Sequence, residues 1–206
     1  MLDHAFFEVV GSFRRAFGAA LLEDQPSEQR LAADILLGDL GWETSYSLPG
    51  EGVPPRIRVD LAVDWSTWSQ SVYRSLLLGE GADELPEILI ELVFRVQRLA
   101  EPVARARLEA ILGALPPESP TLAAAALERL GPVVEEAFAD GLATREHAVE
   151  ISYEGAVPLD ASIVTDLGQL DEDFAAFGRW VASALVRLAD LPFVYLPPEP
   201  EASAEP

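Results

Sequence analysis

Between residues 57 and 65 the chain reads IRVDLAVDW, in which Ile57, Val59, Leu61, Val63 and Trp65 alternate with Arg58, Asp60, Ala62 and Asp64. A period of two puts every second side chain on one face of a β-strand. The earlier run WETSYSL alternates through Trp42, Thr44, Tyr46 and Leu48, and the breaker-rich PGEGVPP separates the two. Together they predict a β-hairpin. A third alternating run, PEILIELVFRVQRL, carries Ile88, Ile90, Leu92, Phe94 and Val96 on one face and Glu91, Arg95 and Gln97 on the other.

Other segments keep the helical period. Residues 3–22 place Phe6, Val10, Phe13, Phe17 and Leu21 on one face, with Glu8, Arg14 and Arg15 elsewhere. Gly11 and Gly18 interrupt this helix at about 1 kcal/mol each relative to Ala, which points to close packing at those positions. Pro26 suits a first helical turn, and EQRLAADILLGDL predicts a second helix with Leu31, Ile35 and Leu36 inward and Gly41 as its stop. In WSTWSQSVYRSLLLGEG, Asp64 or Ser66 would be the N-cap, Trp68, Val72 and Leu76 the inward face, and Gly79 the C-terminal signal. Trp65 and Trp68 are expected to wedge the strand-to-helix corner, an exposed aromatic docking patch being the alternative, and the serines to face solvent or close neighbours. Strand, helix and strand in succession predict a parallel pair with a right-handed crossover.

The second half of the chain suggests the same plan. Residues 102–113 and 121–130 predict helices, although TLAAAALERL also admits a strand. VVEEAF and REHAVEISYEG predict strands, and DEDFAAFGRWVASALVRLA a helix with the stripe Phe174, Phe177, Val181, Leu185 and Leu188. The expected fold is therefore α+β. It consists of two tandem pseudo-repeats of helix-helix-β-hairpin-helix-strand, about 95 residues apart, packed around one shared or two adjoining cores. The expected division is a first α+β lobe over 1–100, a second over 101–196, and a disordered acidic Pro/Glu tail over 197–206. AVPLDASIVTDLGQ, residues 156–169, reads as an insertion in the second lobe and a candidate lid or partner loop.

Composition narrows the function classes. Half of the residues are hydrophobic and 24% charged, the balance of a chain that folds. No apolar run is long enough to span a membrane and the start lacks the pattern of a signal peptide, so the expected compartment is the cytoplasm. The absence of cysteine excludes disulfides, thiolate nucleophiles and thiolate metal sites. All 14 basic residues are Arg; a GC-rich genome accounts for the missing Lys and Asn, and a phosphate loop that needs Lys is excluded. The net charge of −21 sets up a field that repels nucleic acids and anionic membranes and speeds encounter with basic proteins.

Few residues offer chemistry. Asp60 and Asp64 share a strand face and, with Glu43 or Glu91, would make a carboxylate metal site for a hydrolase; this is the alternative function. Ordinary placement, with Arg58 beside Asp60 and Asp64 as a helix cap, accounts for the same spacing. His4 and His147 are the only histidines, too few and too distant for zinc, and no local signature supports a Ser66, His147 and Asp60 triad. No G-x-G-x-x-G is present. The favoured function is a non-enzymatic acidic protein-binding module of chaperone-, inhibitor- or immunity-like character, which captures a basic protein partner and uses no cofactor. Its partner contacts are expected at the acidic clusters, through Glu80, Asp83, Glu84, Glu87, Asp166 and Asp171. Mimicry of nucleic acid would need acids regularly spaced along one face, whereas these clusters fall at loops and helix starts.

Overall fold

A computed structural model of the chain describes residues 2–24, 30–33, 38–50, 55–103, 128–138 and 145–197. Its frame is a seven-stranded antiparallel sheet. The central hairpin pairs β3 (Leu40–Ser47) with β4 (Ile57–Trp65), with Trp42 opposite Val63 and Tyr46 opposite Val59. Outside β3 lie the short strands β1 (Glu23–Asp24) and β2 (Arg30–Ala33), both paired to it. On the other side of β4 follow β5 (Glu87–Leu99), β7 (Arg145–Pro158) and β6 (Glu128–Phe138) in that spatial order.

Alternation in β4 and β5 turns one face of this sheet into a floor of Ile57, Val59, Leu61, Val63, Ile88, Ile90, Leu92, Phe94 and Val96, all buried. Two helices cover it. α1 (Leu2–Ala19) lies over β3 and β4, with Phe17 against Tyr46 and Phe6 stacked on Trp65. The long C-terminal helix α4 (Leu170–Ala189) runs closest to β4 and sets Trp180 edge-on to Phe94 of β5 and Tyr153 of β7. The helices meet each other through Phe13 and Phe174, whose ring centroids are 3.8 Å apart. At the crossing, the backbone of Ala16 comes so near Gly178 that a Cβ there would lie 2.9 Å from the Ala16 carbonyl oxygen. Gly178 is thus the close-approach glycine, whereas a Cβ at Gly18 would meet nothing within 4 Å and one at Gly11 only the tip of Arg15.

The ends of α1 and α2 (Thr67–Leu77) carry the same termination chemistry on different residues. After α2, Gly79 at φ 72° lets Glu80 N–H reach Ser75 O and Gly79 N–H reach Leu76 O. After α1, Leu21 occupies the corresponding left-handed position at φ 61°, and Leu22 N–H reaches Phe17 O. Leu21 therefore points to solvent and the buried residue is Leu22. A short helix α3 (Ala161–Thr165) and a 3-10 turn (Leu167–Gln169) connect β7 to α4. Asp160 caps α3 by accepting from the Ser162 and Ile163 N–H groups, and Asp166 caps the 3-10 turn through Gly168 N–H.

The coarse α+β expectation holds, and several finer ones do not. Residues 30–33, expected in a second helix, form strand β2, because the outer edge of β3 offers backbone partners that outweigh the helical preference of Arg, Leu and Ala. The remainder of that helix falls mostly outside the described residues, as do the helix expected over 102–113 and the tail beyond residue 197. Of the segment 121–130, the described residues 128–130 open strand β6. β4 and β5 are antiparallel neighbours despite the helix between them, so no parallel crossover forms there. Segment 156–169 is regular structure for most of its length, and its Val157, Leu159, Ile163 and Val164 belong to the core. Since β5 and β7 pair directly, both halves of the chain build one sheet and share one core.

Candidate functional site

α1 and α4 cover one face of the sheet; the opposite face is built from the polar members of the same alternation. The pairing register orders it into rows. Ser47, Arg58, Arg95 and Glu150 stand side by side on β3, β4, β5 and β7. The next row is Ser45, Asp60, Val93 and Ser152, followed by Glu43, Ala62, Glu91 and Glu154, and then Gly41, Asp64, Leu89 and Ala156.

The first two rows neutralise themselves. Asp60 accepts from the Ser45 hydroxyl and lies 3.0 Å from Arg58 Nε and 3.3 Å from Arg95 Nε, while Arg95 also bridges to Glu150. A carboxylate held between two guanidiniums has its charge already matched. Asp60 and Asp64 share the face as the period predicts, yet they serve different surroundings. Among the described residues, no group of three His, Asp or Glu side chains is placed to hold a metal ion.

The last two rows are not neutralised. Glu91 and Glu154 are direct cross-strand partners, and like charges in that position repel. Glu43 occupies the same row, with Arg30 of β2 as its partner on the other side, and Asp64 the next; acids outnumber bases in these rows across β2, β3, β4, β5 and β7. Partial burial, reinforced by the charges of Glu43 and Asp39, raises the Asp64 pKa above its ordinary value. A recess of about 540 Å³ opens here, lined by Asp64, Leu89, Glu91, Glu154 and the small residues Gly155 and Ala156, and Leu89 is 47% exposed in its floor.

α2 leaves the sheet at this same end. Ser66 is its N-cap, accepting from Ser69 N–H, and Asp39 accepts from both the N–H and the hydroxyl of Thr67. The buried face is Ser69, Gln70 and Tyr73; of the expected Trp68, Val72 and Leu76, Leu76 packs partly buried against the core, Val72 is half-buried and Trp68 is exposed. Ser69 Oγ accepts from Trp65 Nε1 and Glu87 N–H and donates to Glu87 O, while Gln70 Nε2 donates to Gly38 O and Trp65 O. Polar side chains can occupy this interior because every bond they need is supplied there. Trp65 is fully buried, as expected of a corner wedge, but Trp68 is 53% exposed.

No protein-family model, curated protein or solved structure matches this chain. Geometry alone therefore guides the assignment of a site. Of the acids singled out from sequence, Glu80, Asp83, Glu84 and Glu87 are all exposed along the segment joining α2 to β5. Asp83 and Glu84 face Trp68 across a second recess of about 490 Å³. Asp166 and Asp171 are engaged within the fold, the first as a cap and the second in a 2.9 Å ion pair with Arg15. The Ser12 hydroxyl and Arg15 hold the Asp171 carboxyl below its ordinary pKa. Of the two histidines, His4 is exposed beside Glu8 on α1, and His147 is buried on the core side of β7. The sequence already groups Asp64 with Glu43 and Glu91, as a metal site with Asp60; the register of four strands separates Asp60 from them and adds Glu154.

Proposed function

We propose that the protein is a non-enzymatic acidic binding module that captures a basic protein partner on the open end of its sheet. One observation carries this reading: Glu91 opposite Glu154, with Glu43 and Asp64 alongside, on a face with a half-exposed leucine in its floor. Glu91 and Glu154, held opposite each other with Asp64 in the next row, repel at a cost in stability, and a cationic partner relieves that repulsion. The rest of the molecule adds long-range attraction through its net charge of −21. The expected contacts Glu80, Asp83, Glu84 and Glu87 extend the acidic surface along the segment leading into β5.

The metal-dependent hydrolase is the second reading, and Asp60 weakens it because that carboxylate is committed to Arg58 and Arg95. A duplicated origin is proposed only for the unit of hairpin followed by helix, represented by β3–β4–α2 and β6–β7–α3. The test of function is capture from the native host at low and high salt, using the wild type and the double variant Glu91→Gln/Glu154→Gln. A basic protein held by the wild type, released by salt and weakened in the double variant supports the module. Equal capture by both proteins, or none by either, refutes it.

A further inference from the structure

The recess beside α2 has a composition that the general acidity of the chain does not require. One wall is the exposed indole of Trp68 with Val72, Ser71 and Ser75, one or two turns along the same helix. The other wall is the loop carrying Asp83 and Glu84, preceded by the small residues Gly81 and Ala82. Between Arg74 and Arg95 the sequence has no basic residue, so the charge on this loop has no neighbour along the chain to offset it. The helix does not need Trp68 for its packing, since Ser69, Gln70 and Tyr73 fill its inner face.

The backbone is anchored at the ends of both walls. Ser66 and Asp39 hold the start of α2, and the Gly79 turn closes its end. The loop is tied down beyond Glu84 by Pro86 O accepting from Leu159 N–H and by the paired bonds of Glu87 with Ser69. Anchoring the backbone on both sides of the recess lowers the conformational entropy lost on binding.

The geometry points to an arginine side chain of the partner protein as the occupant of this recess. A guanidinium is planar and weakly hydrated, so it stacks on an indole while its N–H groups meet carboxylates; an ammonium is a compact, strongly hydrated charge and uses only the second of these contacts. The inference rests on the reading of the protein as a capture module and assigns one residue of its partner's recognition segment.

The test uses the full chain with isotope-labelled tryptophan and backbone nitrogens, titrated with the peptide acetyl-Gly-Arg-Gly-amide and with its citrulline and lysine counterparts. Saturable shifts of the Trp68 indole N–H and of the Asp83 and Glu84 amides are expected with the arginine peptide. Binding should be about tenfold weaker for both counterparts and lost in Asp83→Asn/Glu84→Gln and in Trp68→Ala. No saturable shift, equal binding of citrulline or lysine, or full binding by the double variant overturns the assignment. If a basic partner is still captured in a salt-dependent way when the arginine peptide fails, only this assignment falls; arginine binding without any captured partner removes the capture reading instead.

Discussion

Replacing Gly178 by Ala tests the packing of α1 on α4 with a single carbon. In the interior of a helix the change gains about 1 kcal/mol of intrinsic propensity. Against that gain, the new Cβ would lie 2.9 Å from the Ala16 carbonyl oxygen and 3.1 Å from its carbonyl carbon. Comfortable carbon contacts lie near 3.5–4.0 Å, so the helices must separate by roughly half an ångström. The obstacle is backbone, and no rotamer change can relieve it. Separation loosens Phe13 from Phe174 and Phe17 from Phe177, and overpacking of this kind costs about 1–3 kcal/mol. Gly18→Ala on α1 supplies the control, with a similar propensity gain and no atom within 4 Å of the new carbon. In urea unfolding followed by far-ultraviolet circular dichroism, Gly178→Ala is expected to be less stable than Gly18→Ala by about 1–3 kcal/mol. The corresponding difference in Tm is roughly 2–4 °C per kcal/mol for a chain of this size. A Gly178→Ala protein as stable as the Gly18→Ala control would refute the close helix approach.

Two further substitutions examine strain and charge. Leu21→Gly should stabilise the protein by roughly 0.5–1 kcal/mol in the same unfolding assay, because it removes a left-handed backbone strain of about 1–2 kcal/mol from a side chain that is 76% exposed, less the added freedom of glycine in the unfolded chain; a loss of stability would show that Leu21 packs against something. Because the folded state raises the Asp64 pKa, it binds this proton more tightly than the unfolded chain does, and Asp64 detracts from stability once the pH rises above that raised value. Asp64→Asn is therefore expected to raise Tm at pH 7, with the advantage shrinking as the pH falls towards and below 3.8, the ordinary aspartate value; an advantage independent of pH would contradict the electrostatic cause.

The sheet core was legible because one physical signal dominated it. In β4 and β5, burial alternates along the strand almost without exception, so the period alone identified both the element and its inward face. α4 was equally plain, with Phe174, Phe177, Val181, Leu185 and Leu188 all buried along its stripe. α2 is legible as an element, but its inner face is rotated from the apolar stripe: Leu76 packs on the core while Trp68 is exposed. Hydrophobic periodicity assumes that the inner face is apolar, and here Ser69 and Gln70 go inside because backbone groups from Gly38, Trp65 and Glu87 await them. Strand β2 failed for a different reason: Arg-Leu-Ala-Ala prefers helix locally, and the outer edge of the next strand, β3, recruits it from only 7 to 13 residues away. The acidic cluster was legible in part: alternation put Asp64, Glu43 and Glu91 on one polar face, but Glu154 joins them only through the pairing of β5 with β7. The cluster from Glu80 to Glu87 was visible, but not the indole that faces it.

The hydroxyl of Ser69 reaches further than its size suggests. By engaging Trp65 and both backbone groups of Glu87, it locks the roll of α2 about its own axis. A helix whose roll is fixed has no say in which residues it shows the outside, so one small interior oxygen selects Trp68 for display. Evolution of the displayed surface can then proceed at positions 68, 71, 72 and 75 without disturbing the anchor, whereas a change at Ser69 would scramble every one of them together.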